Sequence, residues 1–245
     1  TVGGTGDVRI ATGGGVPGPD ADAAGAPLEL VPPPDGFAVV RARSYVDGRW
    51  PSAVATASYG DPAVLQRGLE IVSLVADPPD LFAEDIGIWV FGPPDYYPYY
   101  PYFGANFWED WERDVHVTAF GADGAPEVDQ DAGISIHGGY SRAFDQRGLH
   151  LVSRDEYGDP TFDPALFSEE PDLSSLRALQ LHNGGDWCGT HLYDEFMQEV
   201  LRDASGRRYP MIDAQAWEPV AVWVNGEYWG MYGLRERIDE DFVAA

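Results

Sequence analysis

Short apolar runs separated by turn-forming residues constrain the fold of this chain more than any other feature. The 245 residues include 29 Gly and 20 Pro, and these residues interrupt most apolar runs before a helix of ordinary length could form. The clearest case is the segment 219–236, in which two apolar runs flank Asn225-Gly226, the pair preferred in a type I′ turn. The pattern predicts a chain built mainly of short strands and hairpins.

One segment, 190–204, has the periodicity of an amphipathic helix. Leu192, Phe196 and Val200 recur at the i, i+4, i+8 spacing that places side chains on one helical face. Thr190 is suited to cap the N-terminus of this helix. A β module, then about five or six strands with one helix inserted before the last hairpin, predicts an α+β fold.

The same pattern divides the chain into two units. Residues 1–60 alternate around turn residues and predict a small β module, residues 61–68 predict a linker, and residues 69–245 form the larger unit. Within the larger unit, the Tyr- and Trp-rich loop 95–111 belongs to a stretch with four prolines, which preclude a regular central strand. We expect this loop either to plug the side of its own domain or to stack on sugars.

The charge balance is strongly acidic. The chain has 41 Asp and Glu against 15 basic residues, all of them Arg, for a formal net charge of −26. Such a field repels nucleic acids and anionic membranes and favours cations and basic partners. No apolar run is long enough to span a membrane. The single cysteine, Cys188, excludes an intrachain disulfide.

A Gly-Gly turn followed by two arginines is the first candidate binding site. Gly138 and Gly139 would let backbone amides approach a ligand, and Arg142 and Arg147 could hold a carboxylate or a phosphate. The alternative is an ordinary hairpin whose arginines pair with nearby acids. Spacing alone does not decide between these two interpretations.

Acidic residues supply the candidate metal sites. The segment 123–133 brings four carboxylates close together in sequence, namely Asp123, Glu127, Asp129 and Asp131, without the spacing of an EF-hand. It is either a calcium site or a solvated turn. His191 and Glu195 form an i, i+4 pair that a metal could use, but helix capping is an equally simple explanation.

Four stretches in order resemble one family. They are LEIVSLVADPPDLFAEDIGIWV, FWEDWERDVHVTAFGADG, DAGISIHGGYSRAFDQRGLHLVSRDEYG and VAVWVNGEYWGMYGLRERIDEDFV. They resemble the CotH family, the spore-coat-H-type secreted protein kinases, over residues 69–245. Residues 1–60 resemble an incomplete copy of the small β-sandwich related to the chitobiase/hexosaminidase C-terminal domain.

The resemblance implies an atypical protein-kinase fold whose β-rich N-lobe, with one main helix, is the part present here. Gly138, Ser141 and Arg142 match the family's glycine-plus-basic segment, and Arg147 falls where the family has a lysine that contacts phosphate. The segment 183–187 matches the family's Asn-Gly and Asp-Trp pattern. The family's site therefore implies ATP and Mg²⁺ as ligands of the complete kinase domain.

Two further matches and two departures concern the helix and the last strand. Asp194 matches the acid of the family's Arg-Asp pair, but Tyr193 stands where the Arg is common. His182 also replaces a common Arg. The Arg235-Glu236 pair matches the approach to the hinge, which makes Glu236 a candidate nucleotide contact.

Two functions follow as expectations. In the first, the parent protein is a secreted or cell-surface kinase that phosphorylates extracellular or surface proteins, and this chain, which lacks a matching Asp-rich metal motif, is inactive alone. In the second, the chain is a non-catalytic extracellular module for assembly, including self-assembly, or for calcium or glycan contact. The replacement of basic residues at kinase-relevant positions favours the second, because Arg is not equivalent to Lys at a phosphate site.

Overall fold

The structure is a computed structural model of the chain. It describes residues 7–24, 29–163, 166–167, 173, 176–185, 193–203 and 215–238. These residues are β-rich, with two sheets and only short helices, as the turn-punctuated sequence predicted. No helix in this part of the chain is long and apolar enough to cross a membrane.

The N-terminal unit is a four-stranded antiparallel sheet. Its strands are β1 (Asp7–Thr12), β2 (Asp22–Ala23), β3 (Phe37–Tyr45) and β4 (Ala55–Gly60), in the order β2-β1-β3-β4. One sheet, rather than two packed face to face, is what the described residues of this unit form. The β-sandwich over residues 1–60, the linker over 61–68 and the start of the larger unit at residue 69 therefore stay predictions.

The larger unit is a closed seven-stranded sheet. Its strands are β5 (Glu70–Val75), β6 (Arg113–Phe120), β7 (Pro126–His137), β8 (Gly148–Val152), β9 (Ala178–His182), β10 (Trp217–Val224) and β11 (Glu227–Glu236). The strand order is β10-β11-β9-β8-β7-β6-β5, and β5 closes the sheet by pairing with β10 in parallel, whereas every other pair is antiparallel. Alternate residues of each strand point inward and fill the interior. Among them are Leu74, Val117, Ile134, Leu149, Leu151, Leu179, Leu181, Val222 and Leu234.

Three α-helices connect these strands in the described parts of the chain. They are α1 (Pro62–Leu65), α2 (Pro78–Phe82) and α3 (Tyr193–Asp203). The α3 helix confirms the amphipathic segment over 193–203, while the predicted cap Thr190 lies outside the described residues. Short 3₁₀ helices span Asn106–Trp108 and Tyr140–Ala143.

The aromatic loop contains no strand, as its prolines predicted. Its Phe107 is fully buried against the closed sheet, and its rings contact Phe91 at centroid distances of 5.1–5.3 Å. Tyr97 and Tyr99 of the same loop are exposed. The loop therefore plugs the side of its own sheet with some rings and presents others to solvent.

The Asn225-Gly226 turn connects β10 to β11 and also contacts the N-terminal sheet. Asn225 has φ 52° and Gly226 has φ 91°, as a type I′ turn requires, so the hairpin prediction is confirmed. Phe37 of β3 donates its backbone N–H to the Gly226 carbonyl at 3.4 Å and packs on Trp223 at a ring distance of 5.3 Å. The N-terminal sheet thus lies against the outer side of β10 and is anchored by a second apolar cluster.

Candidate functional site

The outer face of β8, β9 and β11 carries a group of polar residues because of strand alternation. Leu149, Leu181 and Leu234 pair across these strands and are at most 1% exposed. They therefore show which residues of each strand point into the closed sheet. His150 on β8 and Arg235 on β11 belong to the opposite phase and lie on the outer face. The α3 helix contributes its Glu195 carboxylate to this same face.

A buried ion pair joins α3 to this face. The Arg235 guanidinium donates to the Glu195 carboxylate, and both side chains are at most 6% exposed. The Nδ1 atom of His182 lies 3.0 Å from Arg235 and 3.3 Å from Glu195. Burial opposes ionisation of Glu195, but these partners outweigh it and hold its pKa well below the usual range.

A glycine in β11 makes this pair sterically possible. A Cβ atom at Gly233 would lie 2.6 Å from the Glu195 carboxylate. An alanine at this position would therefore require the Glu195 carboxylate to move.

Two histidines stack beside the ion pair. The rings of His137 and His150 have centroids 3.8 Å apart and are nearly parallel. Burial, with neighbouring cationic groups, lowers the pKa of His137 to about 4 and that of His150 to about 3. Both rings are therefore neutral at pH 7.

The two glycine-containing segments singled out in the sequence meet at the edge of this face. Asn183, after β9, donates its side-chain amide to the Gln146 carbonyl at 2.6 Å, on the far side of the β7–β8 connection. Gly138 has φ 120°, a conformation that favours glycine, and its carbonyl accepts a hydrogen bond from Arg142 Nε at 2.7 Å. Gly139 precedes the 3₁₀ helix that carries Arg142. The structure thus brings Gly138, Gly139 and Arg142 together with the end of β9.

Positive charge is concentrated here. The positive charges of Arg142, Arg235 and Arg237 all act on His137. We call these three arginines, together with the neutral rings of His137 and His150 and the side chain of His182, the cationic cluster, and its positive charge comes from the arginines. Arg235 is paired with Glu195 and Arg142 lies 3.8 Å from Asp110, so only part of this positive charge is available to attract an anion.

Arg147 lies elsewhere. It is 4% exposed and donates to the carbonyl oxygen of Phe144 at 2.6 Å. Its guanidinium lies 4.2 Å from the centroid of the Phe107 ring, in a cation–π geometry. Burial lowers its pKa to about 10. The group that the sequence suggested for phosphate contact is thus held by backbone carbonyls and an aromatic ring.

The other two candidates at this end of the sheet make contacts within the protein. Asp194 lies 3.7 Å from the Arg235 guanidinium. Glu236 is buried, and its carboxylate accepts the backbone N–H of Ala216 at 2.6 Å. Glu236 thereby ties the end of β11 to the residue that precedes β10.

The calcium candidates are only partly brought together. Asp129 and Asp131 of β7 accept hydrogen bonds from the two ring nitrogens of His116, at 3.0 and 2.8 Å, which raise the pKa of that histidine although burial opposes the shift. Asp123 instead accepts the N–H of Ala125 within the β6–β7 turn. Glu127 has a pKa raised by burial and by neighbouring carboxylates. In the described ranges, no three or more His, Cys, Asp or Glu side chains are grouped as a metal would require.

Sequence reasoning did not single out the stacked histidines or Arg237. The alternation of residues along β8 could have located His150, because it lies between the inward-pointing Leu149 and Leu151 and must therefore point outward. Gly233 inside β11 was a second signal, because a glycine within a strand often marks a point where another part of the protein approaches the backbone closely. Asp186 and His191 lie outside the described residues.

Comparison with known families supports the resemblance found in the sequence. The family model described as CotH kinase protein matches residues 134–245, a range that includes the cationic cluster from His137 onward. No curated protein matches the chain. The N-terminal unit lies outside the matched range, so its resemblance to the chitobiase-related module stays a prediction. The match supports the predicted resemblance to the CotH family over residues 134–245, and over residues 69–133 the resemblance stays a prediction.

Proposed function

We propose that the chain is the nucleotide-facing part of an ATP-dependent protein kinase of the CotH type. The observation that carries the proposal is the cationic cluster beside the Gly138 turn, within the segment that matches the family. Phosphoryl transfer depends chiefly on positioning and on stabilising negative charge, and arginines are suited to hold phosphate oxygens. In this proposal Arg142 and Arg237 contact phosphate, and Mg²⁺ is held by acids of the complete kinase domain.

The buried pair of Arg235 and Glu195 supports the same proposal. Protein kinases require an ion pair between a strand cation and a helix carboxylate, which fixes the helix against the sheet. Arg235 of β11 and Glu195 of α3 form a pair of this kind. We therefore assign the positioning role to Arg235 rather than to Arg147. In this proposal the kinase acts on extracellular or surface proteins and is itself secreted.

Binding of MgATP to the complete kinase domain, measured by calorimetry, tests the proposal. Arg142→Gln and Arg237→Gln should each weaken binding roughly tenfold, because each removes a charge-assisted contact. Arg67→Gln is the matched control, since Arg67 pairs with Asp35 in an exposed position far along the chain from the cluster. Equal weakening by the control, or no binding of MgATP at all, would refute the assignment.

A second candidate, a non-catalytic extracellular module, is favoured by the surroundings of Arg147. That side chain is buried and bonded to the carbonyls of Phe144 and Asp145. Arg235 is likewise neutralised by Glu195. In this candidate the complete domain transfers no radiolabelled phosphate from ATP to any protein. Its function would instead be contact with calcium or with glycans. Recovery of labelled phosphate on a substrate or on the protein itself would exclude it.

A further inference from the structure

We propose that the cleft between the N-terminal sheet and the closed sheet binds a basic peptide segment of a partner protein. The cleft has a volume of about 490 Å³, which is within the range of ligand sites. Its charged lining consists of five carboxylates, two guanidiniums and one imidazole, from Asp77, Asp80, Asp114, Asp131, Glu156, Arg41, Arg43 and His116. None of these residues belongs to the cationic cluster, so the proposal does not depend on phosphoryl transfer.

The carboxylates of the cleft are unequally neutralised. Asp131 accepts a hydrogen bond from His116 at 2.8 Å, and Asp80 lies 3.8 Å from Arg113. Asp77 and Asp114 make no ion pair within 4 Å with any residue that the structure describes. Burial, together with the charges of Asp77 and Asp114, raises the pKa of Asp80, although Arg113 acts in the opposite direction. Glu156 lies 3.3 Å from Arg154, so Asp77 and Asp114 are the two carboxylates of the cleft with which a further cation would pair.

Arg41 is the second feature that points to an occupant. Its side chain is 8% exposed, and it donates one hydrogen bond, to the Gly14 carbonyl at 2.6 Å. Its Nε atom is buried without a partner, and among the described residues the guanidinium makes no ion pair within 4 Å. A guanidinium offers five N–H donors, so most of the donor capacity of Arg41 is unused. An occupant of the cleft must therefore bring acceptor atoms as well as positive charge.

A basic peptide meets both requirements. Its guanidinium or ammonium group would lie between Asp77 and Asp114, and a main-chain carbonyl oxygen would accept from Arg41. A cation without acceptor atoms would satisfy the carboxylates but leave Arg41 as it is. The net charge of −26 attracts basic segments and repels polyanions.

The probe is a fluorescein-labelled peptide with the sequence glycine-arginine-glycine-arginine-glycine, amidated at its C-terminus, and binding is followed by anisotropy without ATP. The matched peptide carries neutral citrulline in place of each arginine. We expect Asp77→Asn and Asp114→Asn each to weaken binding roughly fivefold to tenfold. Asp47→Asn removes one charge from an exposed turn of the N-terminal sheet and should leave binding unchanged within about twofold.

Arg41→Met separates this proposal from simple charge attraction. If Arg41 donates to the peptide backbone, its removal weakens binding, whereas if it only repels the peptide, its removal tightens binding and the proposal is wrong. Equal binding of the citrulline peptide, or equal weakening by Asp47→Asn, would also overturn the proposal. The two Asp→Asn variants keep the test decisive if Arg41→Met does not fold. Because ATP is absent, loss of peptide binding and loss of MgATP binding are separate results.

Discussion

The buried pair of Arg235 and Glu195 gives the sharpest prediction about stability. Glu195→Gln keeps the shape of the side chain but removes its charge, and leaves Arg235, which is 5% exposed, with only the Asp194 carboxylate at 3.7 Å as a counter-charge among the residues that the structure describes. Breaking a buried ion pair on one side costs about 3–5 kcal/mol. His182 remains within 3.0 Å of Arg235, so we expect a loss near the lower limit, about 3 kcal/mol. That loss would be a large fraction of the stability of a typical domain, about 5–15 kcal/mol.

Urea unfolding, followed by circular dichroism and tryptophan fluorescence at pH 7, measures this loss. The control is Asp7→Asn, because Asp7 pairs with Arg9 in an exposed position and should contribute less than about 1 kcal/mol. The double variant Glu195→Leu with Arg235→Met should recover part of the loss, since it removes both charges. If Glu195→Gln costs no more than the control, the ion pair does not hold α3 on the sheet and the reasoning fails.

Three further predictions concern the same two sheets. Gly233→Ala should cost about 1–3 kcal/mol in urea unfolding, because its Cβ would lie 2.6 Å from Glu195; an unchanged midpoint would show that the helix can shift. As the pH falls from about 6.5 to about 3, the unfolded chain takes up protons before the buried rings of His137 and His150 do, so stability decreases over this window. His150→Gln should flatten that decrease, and an identical pH profile would contradict the assignment. Phe37→Ala should cost about 3–5 kcal/mol, because the ring is 3% exposed between the two sheets; a loss below about 1 kcal/mol would mean that the sheets do not share this cluster.

Local sequence patterns predicted the elements of the fold better than their assembly. The Asn225-Gly226 hairpin and the α3 helix each follow from turn chemistry or periodicity within a few neighbouring residues. The parallel pairing of β5 with β10 does not, because Glu70 and Val220 are far apart in the chain. Nothing in either run of apolar residues specifies the other as its partner.

The sequence singled out the Gly138 turn but not the polar residues on the outer face of the sheet, and the ligand of either part stays a prediction. Gly138 and Gly139 lie next to Arg142, which belongs to the cationic cluster. Arg147 was singled out by its alignment with a family lysine, but its head group is buried against Phe107. The direction of a side chain depends on the phase of the strand, and Arg147 immediately precedes β8, where that phase is not yet set by alternation.

The closure of the large sheet by β5 and β10 also governs the order of folding. During synthesis β5 to β9 emerge first, and β5 then presents one unpaired edge until the β10–β11 hairpin arrives to fill the gap between β5 and β9. Contacts this distant in sequence close slowly, because a long loop must be ordered before it gains any pairing. The N-terminal sheet leaves the ribosome before all of these strands, yet its Phe37 needs Trp223 of β10 as a packing partner. We therefore expect the N-terminal sheet, although it is made before the closed sheet, to reach its final packing after that sheet has closed.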